Sequence, residues 1–349
     1  MSSEASTAAV VIPDAAGQAA RRAALRLAFG VTACFAAVQA LRWDATFVAP
    51  LLAAQMLVKP PRPPSLAQGA RLIVLFLLST GGVLAVTMAF MANPAVLILA
   101  LALVLYFSFY VHLRGAPEMA TLLVQISAVS LPVLAVLSPD TALAFAGTLV
   151  SAGAVALLTV WVAHAVFPEP VDVQSPVPLA KIPPEPGTAE RQALLHTLVL
   201  LPAIVWFLLD ASKTVDMAIV MLIVVVTLLR QTDARQGQRA GLGLIVGNAI
   251  GGIAAVIAYS LVLINGTFLF FIFACLAMSL LFAGQIATSG NRAPLYVIAY
   301  ATFILLIGLG MSPLPGGSGE AFASRLINVL LASAYAVGAV SVVERWRRP

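Results

Sequence analysis

The chain has 349 residues, 61% of them hydrophobic and only 9% charged. Soluble domains carry about a quarter charged residues, so a water-soluble globule of this size is excluded and an integral membrane protein is expected. The 19 Lys and Arg outnumber the 14 Asp and Glu, and the pI is about 9.6. That excess does not call for nucleic acid, because basic residues of membrane proteins collect on the cytoplasmic side.

Several apolar runs reach the ~20 residues that a spanning helix needs. Long Leu, Ala and Val runs with 8% aromatics favour helices over a barrel, whose strands alternate. Residues 1–20 are rich in Ala and Ser, lack the basic-then-apolar layout of a cleaved signal peptide, and are expected to be a disordered cytoplasmic tail. Arg21, Arg22 and Arg26 open a first helix ending near Leu41. A short helix follows over 45–58, and the hinge KPPRPPSLAQGAR breaks it, since its prolines cannot stay helical. A third helix is predicted over 70–91, with Asn93-Pro94 turning the chain, and a fourth over 95–113. Tyr106, Phe107, Phe109 and Tyr110 at the end of the fourth read as an interfacial aromatic belt. A fifth helix is predicted over 117–137, a turn at Ser138-Pro139-Asp140, and a sixth helix over 141–167.

The segment 168–190 is rich in proline, mixed in charge and aperiodic, which predicts an extended cytoplasmic linker. Six more helices are predicted at 191–209, 214–229, 239–263, 267–284, 293–311 and 321–343. The second set repeats the first. At a shift of 170, Gly81-Gly82 falls on Gly251-Gly252, Ala70 on Ala240 and Leu72 on Leu242. The expected fold is therefore all-α, with about twelve transmembrane helices in two parallel six-helix repeats, residues 21–167 and 191–349. With the termini inside, all Lys and Arg except Arg42, Lys213 and Arg325 fall on the cytoplasmic side, which sets the orientation.

The sequence holds no Walker loop, no HExxH and no Cys/His cluster with metal spacing, so neither an enzyme, a metal nor a cofactor is expected. His112, His164 and His196 fall near predicted helix ends, where interfacial structural roles are expected. The short segments 45–58 and 214–229 occupy corresponding places in the two repeats, the best sequence pointer to a transporter's binding region. Candidates for the substrate pathway are Gln55 on the first of these and Asn248 near mid-membrane, where an amide must find a partner. Arg71 and Arg239 join them at the cytoplasmic starts of the third and ninth helices, where a helix N-terminus and a guanidinium fork both favour an anion. Arg325, on the outer side, is a further candidate. Asp44, Asp210 and Asp216, near the outer ends of the short helices, are candidates for proton coupling. Gly243, Gly247 and Gly251 form a double GxxxG pattern, a mark of tight helix packing.

The loop DARQGQR, residues 233–239, resembles the major facilitator signature, but KPPRPP stands where that signature should be strongest. The opening run from Arg21 to Leu72 resembles the fusaric acid resistance and aromatic acid exporter family. Trp43 holds that family's aromatic turn position, Gln55 and Pro60 close the short helix, and Arg71 begins the next. The resemblance implies export of small organic acids, often aromatic, across the bacterial inner membrane, together with a periplasmic adaptor of the membrane-fusion type. Plant malate-activated anion channels look distantly similar. The chain departs from the larger exporters in having no cytosolic domain between its halves. A passive anion channel, a major-facilitator-type transporter and a non-transporting scaffold for an adaptor complex are the alternative functions. The bilayer, an organic anion, the adaptor and further copies of the chain are the partners this reading allows.

Overall fold

The structure, a computed structural model, describes residues 15–43, 46–58, 62–168, 186–209, 225–226 and 237–311, with the single positions 327, 331, 335 and 338. These residues form α1 (Ala15–Ala40), α2 (Val48–Val58), α3 (Leu66–Phe90), α4 (Pro94–Leu113), α5 (Glu118–Leu137), α6 (Pro139–Val166), α7 (Pro186–Leu209), α8 (Gly237–Ile264), α9 (Phe268–Thr288) and α10 (Ala293–Met311). A 3₁₀ turn, Gly290–Arg292, joins the last two. Among the described residues nine helices, all but α2, are long and apolar enough to cross a membrane. The protein is a multi-pass helical membrane protein. The short helix expected at 214–229 and the last helix at 321–343 lie outside the described residues, save for a few positions that are helical.

The helix starts follow local chemistry. Ser65 and Gln68 close a reciprocal capping box on α3: Gln68 N–H donates to Ser65 Oγ at 3.2 Å and Ser65 N–H to Gln68 Oε1 at 2.9 Å. The helix therefore starts at Leu66, four residues earlier than expected, and Arg71 lies in its second turn. Pro94 and Pro139 each sit in the first turn of a helix, where the missing N–H costs nothing. Ser138, extended at φ −163°, ends α5 and opens α6. Pro186 likewise starts α7 inside what was expected to be linker. His196 thus lies well inside α7, not near its start, with its ring edge-on to Phe109 at 5.2 Å. Phe109 is fully buried by this packing and is no part of a lipid-facing belt, unlike its exposed neighbour Phe107.

Small residues set the close approaches. α1 runs antiparallel to α6: Phe29 meets Phe167, Gly30 faces Ala163, and Cys34 Sγ lies 2.8 Å from Thr159 Oγ1. α3 packs on the same helix through Gly69 against Trp161 and Phe76 against Gly153. α8 and α10 run parallel, since Gly247 meets Ile298 and Gly251 meets Ala299 and Thr302. α1 also packs on α9, with Phe35 edge-on to Phe271 at 5.9 Å, and α4 packs on α7. The most enclosed spans are α5 and α10.

The glycine pairs that coincide in the sequence overlay do not share an environment. A Cβ on Gly81 or Gly82 would meet nothing within 4 Å, whereas one on Gly251 would run into the Ala299 carbonyl. In the double GxxxG pattern Gly247 and Gly251 make the helix crossing, while Gly243 faces open space.

Candidate substrate pathway

α2 is the unusual element. Its 11 residues rise about 16 Å, half the ~30 Å of a hydrocarbon core. Nine of them are buried, so the helix is apolar all round because protein surrounds it. It starts beside the end of α10, where Thr46 Oγ1 donates to Gly308 O and Phe47 packs on Gly308. It ends near the middle of α1, with Leu57 against Gly30. Beyond it, residues 62–65 are non-helical, and Trp161 Nε1 on α6 donates to Pro64 O at 2.7 Å. Arg62, Pro63 and Ser65 are exposed, so this stretch runs along the surface of the described bundle. Gln55 is one of the two α2 residues that are only half-buried.

Polar side chains cross the bundle at mid-helix in two places. Between α3 and α5, Ser127 Oγ donates to Thr80 Oγ1 at 3.4 Å. Gln125 and Ser130, both fully buried, lie on the same central helix. Between α8 and α10, Asn248 pairs with Thr302. Asn248 is 3% exposed, and its amide nitrogen has no partner among the described residues. One crossing joins α3 with α5 and the other joins α8 with α10.

The other expected site residues are scattered. Arg71 is exposed on α3, and the amide groups at that helix start are partly taken by the capping box. Arg239 lies in the first turn of α8. Asp44, Asp210, Asp216 and Arg325 lie outside the described residues. Arg26 opens the first helix in sequence, yet it is buried, one turn before Gly30 and so on the face that meets the end of α2. Cations favour helix C-termini. Sequence reading passed over Arg26 as flanking charge, and passed over Thr80, Gln125, Ser127, Ser130 and Thr302 because isolated hydroxyls and amides in apolar runs have no motif. Their depth within a span was the available signal. Among the described residues no group of His, Cys, Asp or Glu is gathered to hold a metal ion.

A family model described as Protein of unknown function (DUF2955) matches residues 23–165, which take in most of α1 and α2 to α6. No curated protein and no solved structure matches the chain.

Proposed function

We propose that the protein is an inner-membrane transporter that exports small organic acids, aromatic carboxylic acids in particular, in company with a periplasmic adaptor of the membrane-fusion type. The carrying observation is α2: a buried half-length helix that ends near the middle of α1, with exposed irregular chain after it. Transporters build midplane sites from such broken helices. The two polar crossings at mid-helix depth support the same reading. So does the packing order. In a twelve-helix count, first on tenth matches fourth on seventh, and third on fifth matches ninth on eleventh, as a twofold axis along the membrane normal requires. The resemblance to aromatic acid exporters supplies the substrate class, and the charge distribution supplies the cytoplasmic termini.

The orientation predicts that reporter fusions within 168–190 and at the C-terminus both read cytoplasmic. A periplasmic signal from the linker would sink the six-plus-six arrangement. The function is tested in proteoliposomes holding the purified protein. Uphill movement of benzoate driven by a proton gradient is the expected result. Downhill anion current alone would assign a passive channel, and no flux with retained adaptor binding would assign a scaffold.

A further inference from the structure

At the α8–α10 crossing the hydroxyl donates to the amide: Thr302 Oγ1 gives its hydrogen to Asn248 Oδ1. The same Oγ1 lies 3.1 Å from Ile298 O, one turn back on α10, so one hydrogen is shared between two carbonyl oxygens in a three-centre bond. The amide is thus held by its oxygen. Its nitrogen Nδ2 carries two hydrogens and has no partner among the described residues. Backbone carbonyls stand close by, Leu295 O against Gly247 and Ala299 O against Gly251, and neither accepts from it. Asn248 is buried near the middle of the 28-residue α8.

A buried N–H group at the middle of a span demands an acceptor. That demand sorts ligands by chemistry. A metal ion or an ammonium group offers no lone pair, and an apolar ring satisfies no N–H. A carboxylate accepts on both oxygens, and an N–H bond to an ionised oxygen is stronger than one to a neutral oxygen. We propose that Asn248 Nδ2 is the donor that receives a carboxylate oxygen of the transported acid. Thr302 is the positioning residue, because its hydrogen bond to Oδ1 fixes which end of the amide is left for the ligand. Gly247 and Gly251 bring α10 close against α8, and the nitrogen is shut off from solvent. The acid reaches it as the helices part, so the packing described here is the closed form of the subsite. The inference rests on the organic-acid reading above and names the group that takes the acid's charged end.

Benzoate and benzenesulfonate both present anionic oxygens, and the sulfonate stays ionised at any working pH. Binding of each to the purified full chain is measured by titration calorimetry, and the unmodified protein should bind both. Asn248→Leu should weaken both about 10-fold. Asn248→Asp is the sharper variant, because it keeps the shape and the oxygen that accepts from Thr302 and removes only the two N–H. Ionised at about pH 9, it should weaken both anions more than leucine does. On acidification the new carboxyl gains an O–H donor. Sulfonate binding should then return in Asn248→Asp and stay level in the unmodified protein. Thr302→Val lets the amide turn and should weaken benzoate about 3-fold, while Thr302→Ser keeps the hydroxyl and the affinity. That pair keeps the test open if neither Asn248 variant folds. Unchanged affinity for both anions in Asn248→Leu, or in Thr302→Val, would overturn the subsite and leave the transport reading standing. So would loss in Asn248→Asp that does not return on acidification, since that loss would be structural. If neither anion binds the unmodified protein, the organic-acid reading falls and the subsite with it.

Discussion

Gly251→Val is expected to abolish stable, monodisperse protein, while Gly81→Ala leaves it intact. The two glycines occupy matching positions in the sequence repeat, so a reading of the repeat alone predicts equal effects. A Cβ on Gly251 would collide with the backbone carbonyl of Ala299 and lie 2.9 Å from Thr302 Cβ. Backbone cannot rotate aside as a side-chain tip can, so α8 and α10 must move apart. Overpacking costs about 1–3 kcal/mol where side chains can adjust, and this contact belongs at or beyond the upper end. Separating the helices also strands Asn248 from Thr302, which adds the penalty of a buried unpaired amide, about 1–3 kcal/mol. A Cβ on Gly81 meets nothing within 4 Å, and alanine is the better helix former by up to about 1 kcal/mol. Size-exclusion profiles after a heating series would compare the two variants. Equal loss at both positions would show that α3 is also packed through its glycines, against something outside the chain.

The second large effect is expected at Gly308→Val. Gly308 sits on α10 where α2 begins, and a Cβ there would lie 2.6 Å from Phe47 Cβ, 2.7 Å from Phe47 Cα and 3.0 Å from its nitrogen. The segment leading into α2 would be pushed away, and the hydrogen bond from Thr46 to Gly308 O would break. Thr46→Val separates the contributions, since it removes that hydrogen bond and keeps the shape. It should cost about 1 kcal/mol, against about 3 kcal/mol for the overpacked glycine. If α2 is the element around which substrate passes, Gly308→Val should also lose benzoate flux at equal reconstituted protein, and Thr46→Val should keep most of it. Full flux in Gly308→Val would remove α2's outer end from the pathway.

Membrane residence, the helix count of the first half and most helix boundaries were legible in the sequence. Each depends on apolar run length and on local breakers such as Asn93-Pro94 and Ser138-Pro139, which act over a few residues. The place of Arg71 in the second turn of α3 is also set locally, because Ser65 and Gln68 form a capping box that starts the helix inside the expected hinge. Asn248 was legible because a lone amide in an apolar run stands out.

Tertiary structure decided the rest. Whether a small residue is a contact or a gap depends on the neighbouring helix, so Gly81 and Gly251 look alike in the chain and differ in the fold. Whether Phe109 faces lipid or protein depends on α7, whose His196 ring covers it. Burial of Arg26 follows from the packing of α1 with its neighbours, which no composition or spacing rule encodes. Composition and periodicity report the solvent that a helix must face on average. Only the partner on each face determines which side chains leave that solvent, and the pairings of α8 with α10 and of the start of α2 with α10 join residues more than forty positions apart in the chain.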